Sequence, residues 1–241
     1  SADASLTSLC CGSNPGMVGE LNEYGRLKTP DAHIEALQQL LDALKPSAVT
    51  DLDISSIGIG PTGAGRVADY VRDAKASIVT INISQSKIGV EGGQAIVEAL
   101  KTTTLESIVI GNDLTLQLKG ELESDSFDAS GQSIDPGYAM IMAWWLTTPV
   151  TASLVLLNIA FNKIGAEGGA ALVEGLKTSS VKFLGIGKQF KTADGTLITG
   201  SLVRTGVNLS LAGRVGEVTK GPDSDGDVKL KWLDDGSESD W

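Results

Sequence analysis

Residues 154–180 read LVLLNIAFNKIGAEGGAALVEGLKTSS, and residues 78–104 answer them with IVTINISQSKIGVEGGQAIVEALKTTT. Each is 27 residues long, and each is followed by another apolar start, Leu105 and Val181. Self-similarity at a period of roughly 20–50 residues marks stacked repeats. Ile81-x-Ile83 has the period of a strand with one buried face. Ile88 and Gly89 then turn the chain, and Ala95, Ile96, Ala99 and Leu100 recur at helical spacing. The small residues on that helix, Gly92 and Gly93 among them, are expected to bring it close to the strand layer. One such unit cannot bury both faces, whereas parallel neighbours can. The expected fold class is therefore α/β, a short curved solenoid with parallel strands inside and helices outside.

Weaker copies extend the pattern. Val49 opens a degenerate unit of 29 residues, Leu105 opens a fourth and Val181 a fifth. The fourth is interrupted, and its helical half returns at Ile134, running to Leu146. Within the interruption, 111–133, the alternation Leu114-x-Leu116 predicts a strand and half of a hairpin, and residues 121–128 carry a dense negative run. Trp144 and Trp145 are adjacent helix positions, so one ring belongs to the core and the other is half exposed or packed on a neighbour. Residues 31–44 form a helix that caps the solenoid, started by Thr29 or Asp31. The expected organisation is an N-terminal tail over 1–30, a solenoid over 31–206 with its insertion at 111–133, and a small β module over 207–241.

The units resemble leucine-rich repeats of the ribonuclease-inhibitor type through Leu154, Leu157, Ile159, Asn162, Ile164, Gly165, Gly168, Leu172 and Leu176. The resemblance covers residues 45–190. It implies that the Asn162 side chain bonds backbone groups of its turn and of the neighbouring repeat. Its counterparts are Ile57, Ser86, Asp113 and Gln189, so a continuous asparagine ladder is not expected. The C-terminal text has turn signals at Asp225-Gly226 and Asp235-Gly236, with Val228, Leu230 and Trp232 alternating between them. It resembles the SH3-like barrels of Mind-bomb-type modules, which implies a small antiparallel barrel that mediates protein contacts. Its last residue, Trp241, stands where another strand is expected, so the barrel reads as abbreviated or cut.

Composition narrows the function. Net charge is −11, which disfavours nucleic acid and acidic lipid as partners. No apolar run reaches the roughly 18 residues of a membrane-spanning helix, and the N-terminus lacks the basic segment of a secretory signal. The two cysteines, Cys10 and Cys11, are adjacent and read as free thiols in a reducing, cytoplasmic setting. With one histidine, a tetrahedral zinc site within one chain is not expected. Asp223, Asp225 and Asp227 alternate through a turn and form a weak calcium candidate, but they lack the length and terminal Glu of an EF-hand. Phosphate-loop and nucleophile signatures are missing, so neither a cofactor nor an enzyme is expected.

The candidate site is the concave strand face. If Leu52, Ile81, Ile108, Leu157 and Leu184 face the core, alternation turns Asp51, Asp53, Asn82, Val109, Leu156, Asn158 and Phe183 outward. Val109, Leu156 and Phe183 are expected to lie side by side as an apolar stripe. That stripe marks a protein-binding patch, a surface covered by the chain's own insert or C-terminal module, or incidental exposure. The preferred expectation is a protein-interaction scaffold for a basic partner. A structural subunit of a larger assembly, a weak calcium module and an enzyme using carboxylates alone are the alternatives.

Overall fold

The computed structural model describes residues 6–73, 78–185, 202–204, 215–220 and 229–232. The chain begins with strand β1 (Ser8–Cys10) and a hairpin of β2 (Glu20–Leu21) and β3 (Leu27–Thr29). Helix α1 (Ile34–Leu44), β4 (Asp51–Asp53), α2 (Pro61–Asp73), β5 (Thr80–Asn82) and α3 (Gly89–Leu100) follow. Next come β6 (Ser107–Ile110), β7 (Leu114–Gln117), β8 (Ser126–Asp128), α4 (Pro136–Trp145), β9 (Leu156–Asn158), α5 (Gly165–Thr178) and β10 (Phe183–Gly185). The last strands are β11 (Leu202–Arg204), β12 (Val215–Lys220) and β13 (Lys229–Trp232).

The repeating units stack as parallel neighbours. β1, β4, β5 and β6 pair in parallel with Leu9, Leu52, Ile81 and Ile108 in register, and β8, β9 and β10 do the same through Phe127, Leu157 and Leu184. Leu52, Ile54, Ile81, Ile83, Ile108, Ile110, Leu157 and Ile159 are all buried, as the alternation requires. Helices α1 to α5 pack in sequence over this core. The small helix residues act between helices. A side chain on Gly93 would collide with the backbone of Gly137 on α4, and one on Gly175 with the backbone of Ala143. Close helix–helix approach, not helix–strand approach, is what these positions require.

Residues 8–29, expected as part of a tail, carry strands. β1 is a repeat strand, and its text, Leu6-x-x-Leu9-x-Cys11-x-x-Asn14, repeats the spacing of Leu154-x-x-Leu157-x-Ile159-x-x-Asn162. The Asn14 amide donates to the carbonyls of Cys11 and Gly12, as Asn162 donates to those of Ile159 and Ala160. The β2–β3 hairpin is inserted between this turn and α1, the helix of the same unit. Asp31, expected at the start of α1, instead accepts from Gly60 and Thr62 at the start of α2, at 2.7 and 2.9 Å. It thereby satisfies two unpaired helix donors of the next repeat.

The interruption divides the strand layer. β7 folds back antiparallel on β6, the hairpin half expected from its alternation, and closes a five-stranded sheet of order β1-β4-β5-β6-β7. Residues 126–128, read as part of the insertion, are the strand of a full unit. Phe127, Ala129 and Ile134 occupy the places of Ile81, Ile83 and Ile88, and α4 is its helix. β6 therefore has no helix of its own. α3 packs directly on α4 while β6 and β7 stand between their strands. Trp145, fully buried, crosses this break: its Nε1 donates to the Gln117 carbonyl at 2.6 Å, and its ring lies 4.8 Å from that of Phe127. Trp144 is half-buried, as two adjacent helix positions demand.

The expected SH3-like barrel is overturned. The sheet that carries the C-terminal strands is parallel through β8, β9, β10 and β11. β12 and β13 extend its far end antiparallel, continuing the solenoid sheet without forming a separate antiparallel module. Turn signals fix which strands are joined locally, but the open edge of a parallel sheet decides where they dock.

Candidate functional site

The outward rows can be read off the strand register. One row runs Cys10, Asp53, Asn82, Val109 and Thr115 across the first sheet, where Val109 is buried and not exposed as expected, and Asp128, Asn158 and Gly185 across the second. The other runs Ser8, Asp51, Thr80, Ser107 and Gln117, then Ser126, Leu156 and Phe183. Leu156 and Phe183 are register partners, as expected. Val109 is not beside them: it lies in the other sheet and the other row, with β7 and β8 between. The continuous stripe of Val109, Leu156 and Phe183 is thus broken at Val109. The equal-period reading assumed one strand per unit across the interruption, and the antiparallel β7 breaks that count.

Several of these side chains also end their strands. The Oδ1 atoms of Asp53, Asn82, Asp128 and Asn158 accept from the backbone N–H two residues on, at 2.9, 2.9, 2.9 and 3.1 Å. Such Asx turns divert the chain from the ladder. They also hold each side chain in one orientation. In Asp53 the other oxygen, Oδ2, accepts from the Cys10 thiol at 3.3 Å. Burial pushes the Asp53 carboxyl up, but the bonds from Ser55 and Cys10 outweigh it and hold the group below the usual range. Thr80 and Ser107 join their hydroxyls at 3.1 Å in the second row.

Charge is unevenly placed. The outward positions of β1 and of β4 to β10 hold three carboxylates, Asp51, Asp53 and Asp128, and no cation, whereas the register carries one row on to Arg204 of β11. The helical side instead carries matched pairs, Asp42–Lys45, Asp69–Arg72, Glu98–Lys101 and Glu174–Lys177. Among the described residues no group of three or more His, Cys, Asp or Glu side chains is placed to hold a metal ion. Asp223, Asp225 and Asp227 lie outside the described residues. No described helix is long and apolar enough to cross a membrane.

The turns beyond the strands hold what sequence reading missed. Each places the third residue after the Asx position, or after its counterpart Cys10, in the left-handed region: Ser13, Ser56, Gln85, Gly131 and Phe161. Four are small or polar. Phe161 is an aromatic at φ 57°, 70% exposed. A non-glycine residue there costs roughly 1–2 kcal/mol. The signal was available in the repeat alignment, where Phe161 stands opposite Gln85, but only the backbone reveals the strain.

A family model described as Leucine Rich repeat matches residues 152–173, the strand, turn and first half of the helix of the β9–α5 unit. The match is local, and it coincides with the unit that carries Asn162. No curated protein matches the chain. Alternating strand–helix units and a repeat match are consistent with a repeat-based interaction module.

Proposed function

We propose that the chain is a scaffold that binds a basic protein partner on its concave strand face, with the acidic segment before β8 extending that surface. The single observation that carries the reading is the segregation of charge: the outward positions of β1 and β4 to β10 present Asp51, Asp53 and Asp128 without a cation among them, while Lys45, Arg72, Lys101 and Lys177 of the helical side are engaged in local pairs. An unopposed field of one sign steers a complementary partner and rejects others. Side chains already held by Asx bonds lose little freedom on binding, which favours rigid display. Leu156, beside Phe183, supplies the apolar element of the second sheet. The large apolar side chains exposed among the described residues are Leu6, Leu21, Tyr24 and Phe161, and none lies on a helix. That argues against burial of the helical side in a larger assembly.

The test uses two fluorescein-labelled dodecapeptides of equal length, one of Arg and Gly and one of Glu and Gly. The intact chain is expected to bind the first and not the second, with affinity falling as salt rises. The exposed Asp51 and the half-buried Asp53 contribute about 0.5–1 kcal/mol each, so Asp51→Asn/Asp53→Asn is expected to weaken binding roughly tenfold. Equal binding of both peptides, or no effect of the double substitution, overturns the reading.

A further inference from the structure

We infer that Phe161 is the anchor at which the solenoid receives an arginine or lysine side chain of its partner, an inference that rests on the concave-face reading above. Phe161 closes the turn after β9, at the rim where that face ends. Its ring is exposed, and its backbone is held in a conformation that favours glycine. Two unfavourable features in one residue are not required by the turn, because Ser13, Ser56, Gln85 and Gly131 make the same turn without an aromatic ring. Beside it runs the turn of the preceding unit, joined by the Gly131 N–H donating to the Ala160 carbonyl at 2.9 Å. Gly131 leaves room: a side chain built there would meet no atom within 4 Å. The same turn starts at Asp128, an exposed carboxylate oriented by its bond from the Ser130 N–H.

An exposed aromatic ring next to an open turn that begins with a fixed carboxylate suits a cation with an apolar stem. The ring face attracts the charge and covers the methylenes, and the carboxylate accepts its hydrogen bonds. Lys163, exposed two residues further on, opposes such a guest, so its removal is expected to help.

The experiment measures the Arg/Gly dodecapeptide against Phe161→Gly, Lys163→Gln and Asp51→Asn/Asp53→Asn, with thermal unfolding of each variant. Phe161→Gly is expected to lower peptide affinity about tenfold while raising the unfolding midpoint by roughly 2–4 °C, since glycine fits the turn. Lys163→Gln is expected to tighten binding severalfold. Unchanged affinity in Phe161→Gly alongside a loss in Asp51→Asn/Asp53→Asn overturns the anchor and leaves the concave-face reading standing. A lowered midpoint in Phe161→Gly shows the ring packing on its own chain and also overturns the anchor. Failure of the unsubstituted chain to bind the peptide overturns both.

Discussion

The turn after β9 and the turn after β5 solve one problem with different atoms. Asn162, buried to 1% exposure, bonds through Nδ2 to the carbonyls of Ala129, Ile159 and Ala160 and accepts from the Ile134 N–H through Oδ1. In the β5 unit the equivalent residue is Ser86, too short to reach. There the Tyr138 hydroxyl arrives from α4, donating to the Ile83 carbonyl at 2.6 Å and accepting from the Ser86 N–H at 3.1 Å. Ile83 is the counterpart of Ile159, so a distant phenol replaces the missing amide. Buried backbone groups must be paired, but the partner can come from any element that the fold brings there. The first turn shows the cheaper case: Asn14 makes the local bonds only, at an exposed edge.

Substitutions can break this comparison in order of burial. Leaving a buried polar group unpaired costs on the order of 1–3 kcal/mol. Asn162→Ala strands carbonyls of two repeats and one N–H, and a loss of about 3 kcal/mol or more is expected in urea unfolding. Tyr138→Phe removes one hydroxyl serving two groups, with about 2 kcal/mol expected, and Ser86→Asn in that background is expected to restore part of it. Asn14→Ala, where water can replace the amide, is expected to cost roughly 0.5–1 kcal/mol. If Asn14→Ala costs as much as Asn162→Ala, burial is not what separates the turns.

Gly93→Ala sharpens the helix side of the same units. Its side chain meets the Gly137 backbone, which cannot move as a flexible side chain does. Overpacking of this kind costs roughly 1–3 kcal/mol, measurable by the same unfolding curves, whereas a gain in stability would contradict direct α3–α4 contact.

Two smaller effects probe the first unit. Cys10 is exposed, while burial, Cys10 and Asp53 push the Cys11 thiol up. Iodoacetamide is expected to modify Cys10 before Cys11, with roughly a tenfold rate difference; equal rates would return residues 8–11 to an unstructured tail. The Asp53 carboxyl, held low in the fold, stabilises the protein above its unfolded value of about 3.9. That contribution is lost as pH falls through the lower folded value. Cys10→Ala is expected to move the Asp53 titration, followed by carboxyl NMR, upward by removing one donor.

Much of this was legible in the sequence. The paired texts of 78–104 and 154–180 gave strand, turn and helix in order, and alternation placed Leu52, Ile81, Ile108 and Leu157 in the core. The first unit escaped because Cys11 stands where Ile159 stands and a hairpin separates its turn from its helix. The β8 strand escaped because Phe127 and Ala129 replace the paired isoleucines amid acidic residues. The site suffered more. A face can be derived from period-two alternation, but adjacency across strands depends on a strand count that β7 altered. The Asx roles of Asp53, Asn82 and Asn158 also depend on where each strand stops, which local composition does not specify.

Side-by-side stacking from the first unit onward is tested most directly by through-hydrogen-bond NMR couplings in a deuterated, uniformly labelled sample. Couplings are expected from the Cys11 N–H to the Asp53 carbonyl, from Ile54 to Asn82 and from Ile83 to Val109. All three together place β1, β4, β5 and β6 in one parallel sheet. Their absence, with amides of 8–11 exchanging as freely as an open chain, would contradict it.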